Sequence, residues 1–246
     1  MLPAPTLPPL LGLAFGLVTA LTVGLLYYAA RRAGRTLLVL LAWAAIQAGL
    51  ALSGFYTITT SVPPRLALAL GPPVLLIPAV LGTARGRAYF DSLRLGVLTL
   101  LHVVRLPVEL VLLGLFLHRA IPRLMTFEGR NWDILMGLSA PLVYYLLRTR
   151  RLGSLGLIAW NFIGIGLLLN IMVAAVLSAP SPGQRLAFEQ PNVAILYFPF
   201  EWLPSVVVPL VLLAHVAALR QLLAASRPAS QGSAPLSADK TASQPV

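Results

Sequence analysis

In the stretch "LHVVRLPVELVLLG", Leu101 to Gly114, three residues interrupt an otherwise apolar run: His102, Arg105 and Glu109. At about 100° per helical residue they fall within an arc of roughly 60°. An imidazole, a guanidinium and a carboxylate on one face offer a proton carrier, a fixed cation and an acid or base. Arg105 and Glu109 stand four apart, the spacing of a direct helical ion pair. A charge at the centre of a bilayer costs about 2.5–3.5 kcal/mol on insertion scales unless it is paired or hydrated. This face is therefore expected to line the interior of a helical bundle. Pro107 adds to the polarity there by leaving the carbonyl of Val103 free for a neighbour.

Other polar residues can be placed on the same depth scale, at about 1.5 Å per residue. His215 and Asn161 fall near the level of His102, and Asn170 lies beyond the centre. The expected binding layer is His102, Arg105, Glu109, Asn161, Asn170 and His215, contributed by the fourth, sixth and seventh spans. The plainer alternative is structural: an Arg105–Glu109 pair fixing register, asparagines as interhelical glue, and His215 as a satisfied core histidine. A loop read as external, "MTFEGRNWD", carries Glu128, Arg130, Asn131 and Asp133, and could cap the bundle or bind something. Helix capping and dipole compensation account for Asn131 and Asp133 at the helix start that follows. Glu201, in "FPFEWLP", is placed near the outer interface with no need of burial.

The elements that must position these groups follow from composition. The chain has 246 residues, 58% hydrophobic and 10% charged, with a mean hydropathy of +0.86. A soluble domain carries about a quarter of its residues as charges, so lipid is the expected solvent. Strand-type alternation is absent, which removes a β-barrel. The expected fold is an all-α bundle of seven transmembrane helices, at about 8–30, 36–54, 66–83, 95–117, 132–148, 155–178 and 203–220. These form one domain over about 1–222, followed by a disordered small-polar tail over about 223–246. The first run has neither the basic start nor the cleavage site of a secretory signal, so it is read as a retained span. "GPPVLLIP" in the third should kink or unwind it, because proline cannot donate the helical bond. Gly12, Gly16, Ala20 and Gly24, and likewise Gly166, Asn170, Ala174 and Ser178, recur every four residues and read as packing seams within the bundle.

Arginines cluster between apolar runs: Arg31, Arg32, Arg35, Arg85, Arg87, Arg94, Arg148, Arg150 and Arg151 on one side, fewer on the other. The positive-inside rule then puts the N-terminus outside and the C-terminus in the cytoplasm. The net charge of +11 so placed suits anionic headgroups and not nucleic acid. Without cysteine there are no disulfides, thiolate metal ligands or thiol nucleophiles. Three histidines, with His118 at a boundary, are too few for a metal hydrolase, so no metal is expected. Lys240, the one lysine, lies in the tail and offers no Schiff base to a retinal. No catalytic residue stands out. The leading functional reading is a small-molecule or ion transporter in which Arg105 receives an anionic group and Glu109 and His102 handle a proton. Against it stands a structural or accessory membrane protein. Below both is a haem-binding redox protein with His102 and His215 as axial ligands; otherwise no cofactor is expected.

The segments "GFYT", "HVVRLPVEL", "MTFEGRNWDILMGLSAP" and "FPFEWLPSVVVPLVLLAH" resemble those of uncharacterised bacterial multi-pass membrane proteins of similar length. The resemblance extends to about residue 222 and implies a seven-span protein of a bacterial inner membrane. No activity is attached to that group, so it transfers no functional residue.

Overall fold

The computed structural model describes residues 5–226. Among them every regular element is helical and there is no strand. Helices α1 (Pro9–Ala29) and α2 (Gly34–Leu52) form an antiparallel pair joined by a tight turn. Helix α3 (Ala67–Gly82) meets α4 (Ala84–Ser92) at a bend of 103°. Then come α5 (Leu95–Leu117), α6 (Ile134–Arg148), α7 (Ser154–Ser178) and α8 (Leu203–Ala225). The expected tail from residue 227 lies outside the described residues, and α8 continues past the domain edge expected at 222.

Five helices are long and apolar enough to cross a bilayer: α1, α2, α5, α7 and α8, with α3 plus α4 a sixth if the bent pair is counted as one span. By length and composition the structure thus supports five, or six, of the seven spans expected from sequence. At 15 residues α6 reaches only about 22 Å, against about 30 Å of hydrocarbon. The helices display Leu13, Leu17, Leu38, Leu75, Leu110 and Ile163 outward, each about half exposed or more. Apolar helices with apolar outer faces fit an integral membrane protein.

Helix α5 sits at the centre, packed on α1, α6 and α8, while α8 also supports α3, α4 and α7. Phe15, Leu26, Leu98, Leu101 and Leu168 are buried in the shared core. Prolines tune two of these helices. Pro107 cannot donate backward, and the turn before it, His102–Val104, tightens to 3₁₀ geometry. Pro209 deprives the Ser205 carbonyl of its helical donor; the opening turn of α8, Leu203–Val207, is a π turn. The indole N–H of Trp43 takes the vacated place at 2.8 Å. In α3, by contrast, the helix runs unbroken through Pro72, Pro73 and Pro78. The break comes later, at Thr83, whose side chain accepts from the Gly86 N–H to cap α4.

Close approaches fix the register of α5 against α6. A Cβ on Gly137 would stand 2.7 Å from the Leu106 backbone nitrogen, and one on Gly96 would stand 3.2 Å from the Tyr144 ring. The start of α6 thus lies beside the middle of α5. Residues 118–133 fill the remaining half, with Ala120, Ile121, Met125, Thr126 and Asn131 buried. The loop read as external turns Met125, Thr126, Asn131 and Asp133 inward and leaves Glu128, Arg130 and Trp132 exposed.

The small-residue seams are corrected in part. Nothing approaches a Cβ position at Gly16, Gly24 or Gly166 within 4 Å, and Ala20 and Asn170 are exposed. Each stripe is part seam and part outer face: a Cβ on Gly12 would meet the Pro199 ring at 3.6 Å, Ala174 packs on the core and Ser178 is fully buried.

Candidate functional site

Arg105 is 3% exposed, midway along α5. Its Nη1 donates to Asp133 Oδ1 at 3.2 Å, an ion pair between α5 and the first turn of α6. Its Nη2 reaches the Gly164 carbonyl at 3.4 Å on α7 and His215 Nε2 at 3.2 Å on α8. One guanidinium therefore ties four helices together. The expected direct pair with Glu109 is not formed. Glu109 Oε1 instead accepts from the Asn131 amide, whose second N–H goes to the Met125 carbonyl at 3.1 Å. Asp133 makes no side-chain cap to α6, because its carboxylate is turned to Arg105. The backbone N–H of Asp133 is taken by Asn131 Oδ1 at 3.2 Å. The capping account of Asn131 and Asp133 is thereby replaced: both are 6% exposed or less and belong to the polar interior.

The hydrogen bonds fix the tautomer of His215. Asn161 Nδ2 donates to the Leu157 carbonyl at 2.8 Å, which leaves its Oδ1 facing His215 Nδ1 at 2.9 Å. An amide oxygen only accepts, so Nδ1 carries the proton and Nε2 presents its lone pair to Arg105. Gly164 is required for this approach: a Cβ there would lie 2.3 Å from His215 Cε1 and 2.5 Å from Nε2. His102 stacks on His215 with ring centroids 3.8 Å apart and planes 21° from parallel. Trp160 meets the edge of His102 at 5.3 Å and donates its N–H to Ser139 Oγ at 3.0 Å. Both His102 nitrogens are buried without a hydrogen-bond partner.

This stack does not fit the axial pair of a haem. A porphyrin would have to part the two rings, and both His215 nitrogens are already committed. Among the described residues no group of three or more His, Asp or Glu side chains could hold a metal.

A cavity of about 490 Å³ lies between α3, α5, α7 and α8. Arg105, Glu109, Asn131 and Asp133 line one end of it, and Leu70, Val74, Leu112, Leu168, Met172 and Val207 are among its apolar walls. The expected polar layer is thus divided. Arg105 and Glu109 face the cavity, while His102, Asn161 and His215 form a dry cluster behind Arg105. Asn170 joins neither; it is exposed and donates to the Arg130 carbonyl at 2.9 Å. Glu128 and Arg130 are exposed on the loop. Trp160 and Gly164 were not singled out in sequence. An aromatic and a glycine on an apolar helix carry no polar signal, and their role appears only when α7 meets α8.

A second buried carboxylate lies apart from this site. Glu201 is fully buried, where the sequence asked for no burial, and neither oxygen makes a well-formed hydrogen bond. Burial pushes its carboxyl up to about 8, against the weaker pull of the nearby Glu201 and Trp202 backbone N–H groups. Tyr56 is pushed up to about 12, first by burial and then by Glu201, although its hydroxyl donates to Gln47.

No curated protein and no solved structure matches the chain. The family model for DUF8737, a domain of unknown function, matches residues 63–223. That stretch runs from the turn before α3 into the last turn of α8 and contains the whole polar network. The chain belongs to the DUF8737 family.

Proposed function

We propose that the protein is a membrane carrier whose small-molecule substrate occupies the cavity beside Arg105, Glu109, Asn131 and Asp133. One observation carries the reading: these buried charged and polar groups line a space whose volume lies within the range of ligand sites, roughly 300–1,000 Å³. Intramembrane charges that serve packing alone have no need of such a space. The Arg105–Asp133 pair holds α5 and α6 in position, and Glu109 keeps a buried oxygen, Oε2, without a hydrogen-bond partner. We place the protein in a bacterial plasma membrane with its arginine-rich side in the cytoplasm, as the arginine distribution favours. The test is solute flux by purified protein in liposomes, across a broad metabolite panel, with and without a pH gradient. Flux that Glu109→Gln lowers at unchanged folding is expected; absence of wild-type flux and of proton coupling across the panel would overturn it.

A structural role is the second reading, and the bonding of both Arg105 Nη atoms to protein groups favours it. Replacing Arg105 and Asp133 together by leucine separates the two. Under the structural reading any cellular phenotype survives as long as the bundle folds.

A further inference from the structure

We infer that the ligand of this cavity enters from the bilayer and is an amphiphilic alcohol: an apolar chain or ring system ended by a hydroxyl that bonds to Glu109 and Arg105. The inference rests on reading the cavity as a ligand site and names the chemistry it selects.

The entrance comes from the walls. Leu75 on α3 and Val176 on α7 both line the cavity and are 69% and 46% exposed, so the space is open beside them. Both helices lean on α8, and the space lies between them. Its mouth therefore opens between two apolar faces, where lipid is the neighbour. A solute polar along its length would lose its hydration against Leu70, Val74, Leu112 and Met172 and gain no bonds there. A chain already dissolved in hydrocarbon loses nothing on entry.

The head group comes from the uncommitted atoms. Among residues lining the cavity, Glu109 Oε2 and Arg105 Nε are buried without a hydrogen-bond partner, in side chains that are 1% and 3% exposed as residues. One is an acceptor and the other a donor. Both N–H groups of Arg105 Nη2 go to Gly164 and His215 and one of Nη1 goes to Asp133, so no two adjacent N–H groups remain as a fork for a carboxylate or phosphate. Two carboxylates already face this single guanidinium, which disfavours a further anion. An ammonium would answer Glu109 and leave Arg105 Nε unmet. A hydroxyl both donates and accepts, and answers both.

The test uses full-length protein in nanodiscs of zwitterionic phospholipid and three photoreactive probes. These share one long alkyl chain bearing a diazirine and end in a hydroxyl, an ammonium or a carboxylate. The alcohol is expected to label peptides from α3 around 66–75 and α7 around 168–176, at about five times the yield of the carboxylate and with the ammonium between. Glu109→Gln should lower alcohol labelling about tenfold. If that variant does not fold, Leu75→Trp with Val176→Trp, which narrows the mouth from exposed positions, should lower labelling by all three probes. Equal labelling by alcohol and carboxylate overturns the inference. So do adducts spread over the outer faces of α1 and α2, or yields unmoved by the variant that folds. Selective labelling without flux would sink the carrier reading and keep this one; flux of a water-soluble solute without selective labelling would do the reverse.

Discussion

Replacing Asp133 by alanine tests the pairing that organises the bundle. The side chains of Arg105 and Asp133 are 4% and 9% exposed, so bulk water does little to screen them. Truncating Asp133 leaves a guanidinium buried with His215 Nε2 at 3.2 Å and the Gly164 carbonyl at 3.4 Å. Neither hydrogen-bond partner bears a negative charge, and Glu109, the carboxylate that remains nearby, is not paired with the guanidinium. Removing one member of a buried pair costs about 3–5 kcal/mol, whereas replacing both by apolar groups of similar size is often near neutral. At about 2–4 °C per kcal/mol for a chain of this size, Asp133→Ala should lower the melting temperature in detergent by roughly 6–20 °C. Arg105→Met with Asp133→Leu should recover most of that loss. The decisive assay is a double-mutant cycle run twice, for 105 with 133 and for 105 with 109. Coupling of about 2–3 kcal/mol is expected in the first and about 0.5 kcal/mol or less in the second. A larger coupling between 105 and 109, or an Asp133→Ala protein melting within about 2 °C of wild type, would refute the reasoning.

Gly164→Ala should cost about 1–3 kcal/mol by forcing His215 off its position, and thermal melting should show the loss shrinking in a His215→Ala background. His102→Phe keeps the ring stack on His215 and should melt within about 1.5 kcal/mol of wild type; a fully stable variant that lost flux would assign a proton role to the imidazole. Glu201 has a folded pKa near 8, above the ordinary value of 4.5, so the folded protein holds this proton more tightly than the unfolded chain. Its contribution is full below about pH 4.5 and fades as pH rises toward about 8. Glu201→Gln should therefore gain stability relative to wild type across that window, as measured by melting at a series of pH values.

The helical class and the apolar spans were legible because hydropathy acts locally. The burial of Arg105 was legible from the penalty of placing a guanidinium in lipid. Its partner was not. Glu109 and Asp133 are both carboxylates within reach of plausible geometry, and sequence spacing favours the one four residues away on the same helix. The choice is made by α6, which Gly137 brings against Leu106 so that Asp133 arrives at the level of Arg105. The small-residue stripes were legible only in part, for the opposite reason. Their period reports a smooth helix face, and it does not say whether a protein neighbour or lipid lies against that face. Glu201 reads in sequence as an interfacial group with no need of burial, and its full burial among protein groups was not legible.

The shortness of α6 and the polarity of the cavity have one origin. Irregular backbone is tolerated at membrane depth only where it is enclosed by protein or lines a cavity, and the segment before α6 meets that condition with its own side chains. Asn131 bonds the Met125 carbonyl and the Asp133 N–H. Asn170, from α7, bonds the Arg130 carbonyl. The two asparagines that resemble ligands in sequence thus satisfy the loop backbone, and Asp133 neutralises Arg105. If Asn131 mainly supports the loop, Asn131→Ala should loosen residues 125–133 and speed amide exchange there by about tenfold, with α7 and α8 unchanged. Exchange unchanged in that segment would return Asn131 to the list of ligand-binding groups. With these roles assigned, Glu109 Oε2 and Arg105 Nε are the fully buried atoms at the cavity's polar end without a partner, and the proposed selectivity for the head group rests on them.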